Sequence, residues 1–351
     1  MDGLSRVTKW SLRVVDPGTV LPFGGLIFAN IAAWAWTFGL FADRPAVMAT
    51  ALLAWVFGLR HAVDADHIAA IDNVVRKLMY AGDMPKRVGL YFALGHATVV
   101  VVATMLLAVG AVDLGGDRLL KAVGGLIGTS VSAIFLLVIA AFNLAIFVSL
   151  WRTLSAVREQ GAHQLEKLEA LSSRRGFLAR PLAPMFRIVT KSWHMYPLGF
   201  LFGLGFDTAT EIGLLSISVS DAARGASLSH VLVFPALFAA GMALVDTADS
   251  TLMVSAYRWA FVDPRRKLWY NLTITGASVM VALFIGGVEA LGLIGQRFDL
   301  FGELWPLDDL NASLANFGFA VIGIFVICWL VSIVAYRAST RSGGVPGETI
   351  A

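Results

Sequence analysis

The sequence predicts an all-α, polytopic membrane protein with about eight transmembrane helices, and three observations carry that prediction. First, 58% of the residues are hydrophobic and only 15% charged, with a mean hydropathy of +0.75, whereas soluble domains carry charge on about a quarter of their residues. Second, apolar stretches recur at roughly 20–41, 46–72, 88–112, 123–150, 195–219, 230–256, 268–292 and 314–336, each near or above the ~20 residues that a spanning helix needs. Third, Lys and Arg alternate between loops. With the N-terminus inside, 21 of the 27 fall in inside segments and five outside, leaving Arg60 in the membrane. That is the bias of an even number of spans with both termini cytoplasmic. The expected location is the cytoplasmic (inner) membrane, multi-pass, with the bilayer as partner.

In chain order, residues 1–19 mix charges with few apolar runs and lack an apolar stretch followed by a small-residue cleavage site, so no removable signal peptide is expected. Residues 1–150 hold the N-terminal segment and the first four spans. Residues 151–194 form a cytoplasmic loop too short for a core of its own; Leu154–Glu159 and Leu165–Glu169 mix apolar and charged residues at helical spacing, predicting a short helix there. Residues 195–351 hold the last four spans and a Ser/Gly/Pro/Thr-rich tail. A weak echo, Phe57-Gly58-Leu59 before Asp64-Ala65-Asp66-His67-Ile68 and Phe202-Gly203-Leu204 before Thr208-Ala209-Thr210-Glu211-Ile212, is what an inverted repeat between the halves would leave. The net charge of +3 needs no nucleic-acid partner once the inside bias is counted. The single cysteine, Cys328, excludes an intramolecular disulfide and a multi-thiolate metal site.

The second span is the anomalous one. Arg60, His61, Asp64, Asp66 and His67 stand within eight residues of a stretch otherwise apolar enough to span, and ionisable groups in hydrocarbon are costly unless they face a cavity or a partner. Imidazole and carboxylate without sulfur suit a first-row divalent metal. On a regular helix His61, Asp64 and His67 share one broad face but drift ~120° over ~9 Å. Two imidazoles six residues apart do not reach one ion from an unbroken helix, so either the helix kinks near Gly58 or the histidines serve successive positions along a path. Asp64 is placed to orient either ring by accepting its other N–H, Arg60 sits four residues before Asp64, and Asp66 points to another face.

Other spans add donors: His96 with Thr98 in the third, Asp207, Thr208 and Glu211 in the fifth, Asp246 and Asp249 in the sixth. Each carboxylate pair repels itself, and two such pairs in hydrocarbon make sense if cations offset the charge. The bland alternative pairs Arg60 with Asp64 and leaves the histidines as interhelical polar contacts. His163, His194 and His230 are expected to be solvated or interfacial, and so is Glu289. Asp72 and Asn73 are expected to cap the second helix or face the cytoplasm, and the apolar seventh and eighth spans to be scaffold.

These blocks together resemble the nickel/cobalt transporter family. Its second-helix signature, His, four residues, then Asp-His, is met by His61, Asp66 and His67; its Leu-Gly-His by Leu94-Gly95-His96; its Leu-Gly-Phe-Asp-Thr-Ala-Thr-Glu by Leu204 to Glu211; its Gly-Met, Asp-Thr and Asp elements by Gly241, Met242, Asp246, Thr247 and Asp249. The resemblance implies secondary import of Ni(II) or Co(II) with no cofactor, the metal being cargo. His61, Asp64, Asp66, His67 and His96 would bind the metal, with Arg60, Asp207, Thr208, Glu211, Asp246 and Asp249 along the path or behind the ligands. ATP is not expected as a partner, since no Gly-x-x-x-x-Gly-Lys-Ser/Thr loop is present; a homo-oligomer stays open. The rivals are efflux of the same metals, a metal sensor, and an intramembrane metalloenzyme, although no His-Glu-x-x-His occurs. The expectation is a transporter, not an enzyme.

Overall fold

The structure, a computed structural model, describes residues 17–108, 118–160, 189–204, 227–260, 264–298 and 318–324, with Leu214 and some positions between 326 and 334. The described residues are helical and contain no strand. We number the helices α1 (Pro17–Phe41), α2 (Pro45–His61), α3 (Ala65–Tyr80), α4 (Val88–Ala108), α5 (Arg118–Gln160), α6 (Met195–Gly203), α7 (Leu228–Val231), α8 (Val233–Ala260) and α9 (Pro264–Phe298), and α10 (Gly318–Cys328). Among the described residues five helices are long and apolar enough to span, six if α2 and α3 are one bent span. α6 and α10 fall in the two remaining expected stretches. The proline that opens α1, α2 and α9 suits a first turn, where its fixed φ is helical and its missing N–H is not needed.

α8 is the hub: it packs on α1, α2, α3 and α4, while α5 pairs with α9 and α6 lies on α4. Glycine allows the closest approaches. A side chain at Gly58 (α2) would overlap the Phe238 backbone of α8, and one at Gly89 (α4) the Asp246 backbone, so these helices meet backbone to backbone, as small residues permit between membrane helices. The outside is apolar: Leu21, Phe28, Leu252 and Met280 are each more than 65% exposed, a surface that water would penalise and lipid accepts.

The span expected over 46–72 is broken. α2 ends at His61, α3 starts at Ala65, and the two axes differ by 48°. Of the two alternatives left open by the sequence, the kink holds, but it lies at Ala62–Asp64 rather than near Gly58. The freed amides remain bonded: Ala62 N–H donates to Gly58 O, Val63 N–H to Arg60 O, Asp64 N–H to His61 O, and Ile68 N–H to Asp64 O. Irregular backbone at membrane depth survives when it is satisfied and lines a site. α3 then runs on to Tyr80, past the expected end at residue 72. It stops at Gly82, whose φ of 91° lets Gly82 N–H reach Met79 O and Asp83 N–H reach Leu78 O, a left-handed cap that favours glycine.

Three further expectations change. Leu154–Glu159 prolongs α5, which is continuous to Gln160, instead of starting a separate helix; Leu165–Glu169 lies outside the described residues. Glu289 is buried, 9% exposed, with Ser132 Oγ donating to its Oε1 at 3.1 Å; α5 covers it, so it is not interfacial. Asp72 and Asn73 are likewise buried, inside α3, because the helix outlasts the apolar stretch by two turns. His194 and His230 are half-buried, His230 against the Phe41 ring at 5.2 Å; His163 lies outside the described residues.

Candidate metal centre

The break in α2–α3 brings together what a straight helix would separate. Among the described residues, His61, His67 and His96 form a buried group whose candidate ligand nitrogens all lie within 4.8 Å of one another. Their ring centroids make a near-equilateral triangle of 4.6, 4.7 and 5.0 Å. At the ~2.0–2.1 Å bond typical of imidazole ligands, neighbouring donors on one ion stand about 3 Å apart, so rotamer adjustments of roughly 1 Å would seat all three.

Two carboxylates set the ring orientations. His61 Nδ1 lies 3.0 Å from Asp64 Oδ2, and His67 Nδ1 lies 3.3 and 3.4 Å from the two Asp246 oxygens. Since a carboxylate accepts, each ring places its proton on Nδ1 and its lone pair on Nε2, the arrangement that carboxylates impose on metal-bound histidine. His67 Nε2 is buried with no hydrogen-bond partner among the described residues, and a buried lone pair without a partner is costly unless a ligand uses it. His61 Nε2 stands 2.9 Å from His96 Nε2, which therefore donates; to ligate through Nε2, His96 would move its proton to Nδ1.

Asp64 occupies the N-cap position of α3, with extended ψ of 147°, but makes no side-chain cap bond. An N-cap aspartate ordinarily satisfies an amide of the first turn, worth about 1 kcal/mol. Here Oδ1 is held by Arg60 at 2.5 Å and Oδ2 by His61, so the carboxylate orients a ring at the expense of capping a helix. Arg60 in turn lies under the Phe319 ring of α10, 5.4 Å from its centroid. The expected Arg60–Asp64 pair is present, and it adds to the histidine cluster rather than replacing it. Asp64 lies against His61, and Asp246, from α8, lies against His67.

The remaining sequence candidates divide. Asp66 is half-buried and takes no part in the three-histidine set. Asp249 follows Asp246 on α8 and is half-buried, its Oδ2 without a hydrogen-bond partner among the described residues. Asp207, Thr208 and Glu211 lie outside the described residues, and with them the Thr208–Ile212 block of the inverted-repeat echo. Two residues that sequence reasoning missed wall the site: Phe92, with its ring edge-on to His67 at 4.8 Å, and Phe238, 5.5 Å from His61. Phe92 precedes His96 by four residues, one helical turn, and that spacing was the signal available. The expectation that the last two spans are scaffold also changes, because α10 contacts Arg60.

The sequence profile of the NicO family, described as high-affinity nickel-transport protein, matches residues 47–335. The chain is 76% identical to the hydrogenase nickel incorporation protein HupN of Bradyrhizobium diazoefficiens over 91% of its own length and 84% of that protein's. It is 54% identical to a high-affinity nickel transport protein of Cupriavidus necator over 91% of each, and 39% identical to the cobalt transport protein NhlF of Rhodococcus rhodochrous over 87% and 88%. No solved structure matches it. The profile covers both halves of the broken span, all three histidines and Asp246, and the chain belongs to the NicO high-affinity nickel-transport family.

Proposed function

We propose that the protein imports Ni(II), and Co(II) where available, through the membrane by way of the His61–His67–His96 centre. The observation that carries the reading is the convergence of three buried imidazoles from three helices, α2, α3 and α4, two of them oriented by Asp64 and Asp246. Nitrogen donors favour Ni(II) and Co(II) over the abundant hard cations, which take all-oxygen shells. Copper would bind such donors still more tightly, so discrimination falls to geometry, and rings pinned by carboxylates and walled by Phe92 and Phe238 supply it. Binding needs imidazole lone pairs that protons compete for, which makes proton coupling part of the proposal; uptake indifferent to an uncoupler at clamped membrane potential would remove it.

The Lys/Arg distribution supports termini on the cytoplasmic side, the relatives' names describe nickel or cobalt transport, and inward transport is the direction proposed. The test is accumulation of labelled Ni(II) and Co(II), each competing the other, in cells making wild type or His61→Ala at equal membrane abundance. Expression that lowers cell nickel would favour efflux, and undiminished uptake by His61→Ala would move the site elsewhere. Asp64→Asn should keep the fold and weaken Ni(II) binding roughly ten- to hundredfold, the usual cost of losing the group that orients a ligand; titration of purified protein measures it.

A further inference from the structure

α3 carries a second polar cluster, five residues or about 7.5 Å of helix axis beyond His67. Asp72, Asn73, Arg76, Asn143, Tyr257 and Ser278 are all buried, none more than 3% exposed, and come from α3, α5, α8 and α9. Tyr257 Oη donates to Asp72 Oδ1 at 2.7 Å and Ser278 Oγ to Asp72 Oδ2 at 2.7 Å. Arg76 NH2 reaches Asp72 Oδ2 at 3.3 Å and Asn73 Oδ1 at 2.7 Å, and Asn143 Nδ2 donates to the same Asn73 oxygen. Here the Arg76 guanidinium meets oxygens of Asp72 and Asn73 on its own helix, and Tyr257 and Ser278 set two hydroxyl oxygens against the same Asp72 carboxylate.

We propose that Asp72, Asn73, Tyr257 and Ser278 form an oxygen-lined exit site for the transported divalent cation, and that Arg76 is a tethered cation which holds the site until cargo displaces it. The inference rests on the reading of the histidine centre as the capture site. An ion held by imidazoles leaves readily only if a weaker site follows within reach, since conduction demands binding firm enough to enter and loose enough to depart. Oxygen donors bind late first-row ions less tightly than nitrogen donors do. On α8, between Asp246 and Tyr257 in the chain, Asp249 has a buried Oδ2 that lacks a hydrogen-bond partner among the described residues. A divalent ion that replaces the guanidinium at Asp72 keeps that buried carboxylate compensated.

The test uses Mn(II), a cation that prefers oxygen ligands, on purified full-length protein with the histidine centre disabled. His61→Ala/Arg76→Gln should bind Mn(II), read by the loss of the free-ion electron paramagnetic resonance signal, at least tenfold more tightly than His61→Ala alone; adding Asp72→Asn should abolish the gain. In the wild-type background, Asp72→Asn should bind Ni(II) within threefold of wild type yet transport it at least tenfold more slowly, while Tyr257→Phe, which keeps the ring, slows transport severalfold. No Asp72-dependent Mn(II) binding, unchanged transport by Asp72→Asn, or loss of Ni(II) binding in step with transport would each overturn the exit site. Retention of Ni(II) binding by His61→Ala is a separate failure, that of the capture site. Should Arg76→Gln not fold, the Asp72→Asn and Tyr257→Phe comparisons decide alone.

Discussion

Purified His67→Ala should bind Ni(II) at least a hundredfold more weakly than wild type, and cells making it should accumulate labelled Ni(II) only at the background rate when the metal is scarce. His67 supplies the one Nε2 in the cluster that has no hydrogen-bond partner among the described residues, so its lone pair is the donor that an ion gains without first breaking a protein contact. Removing it takes away a whole ligand, whereas Asp246→Asn leaves the ring and removes only the group that orients it. The second variant should therefore lose less, roughly ten- to hundredfold. The ordering is the diagnostic: an Asp246→Asn defect as deep as that of His67→Ala would make the carboxylate a direct ligand, and a His67→Ala protein with normal affinity would leave His61 and His96 as an ordinary interhelical contact. Both proteins should elute from size exclusion as wild type does, because a cavity of one ring beside Phe92 costs less than the fold can lose.

The sequence disclosed the chemistry of this centre more fully than its shape. Hydropathy placed most of the helices, because a bilayer forces backbone groups to bond within each span. Burial cost singled out Arg60, His61, Asp64 and His67, since nothing else excuses such residues in an apolar run. The helical period even showed that His61 and His67 could not share an ion on a straight helix. It could not say where the break falls, because Arg60 and His61 claim the Asp64 carboxylate in place of a helix cap and distant chain adds its own contact, Gly318 of α10 lying against the Val63 backbone. The same limit applies to Asp72. In sequence, Asp72-Asn73 followed by Arg76-Lys77 reads as a helix leaving the membrane, and only the partners Tyr257 and Ser278, about 200 residues away in the chain, turn it into a buried cluster. Pairings of that range are fixed by tertiary packing and leave no local periodicity.

Gly318→Ala should cut Ni(II) uptake at least tenfold, while Gly323→Ala, five residues on in the same α10, should leave it unchanged. A methyl group built at Gly318 overlaps the Val63 carbonyl and comes within 3.3 Å of the Asp64 carbonyl carbon, whereas at Gly323 it meets nothing within 4 Å. The obstruction is backbone, which has no rotamer to change, so α10 must back away from the break. Overpacking of this kind costs about 1–3 kcal/mol, a loss that thermal unfolding in detergent would register as a modest fall in midpoint. Transport should fall further than stability does. Retreat of α10 carries Phe319 off Arg60, whose guanidinium it covers at 5.4 Å; Arg60 holds one oxygen of Asp64, and the other oxygen orients His61. A displacement of about 1 Å passed along that chain is enough to misplace a ligand. A Gly318→Ala protein that transports normally would show that α10 does not press on the break during the cycle, and equal losses in Gly318→Ala and Gly323→Ala would assign both to the helix as a whole and none to its seat on the metal centre.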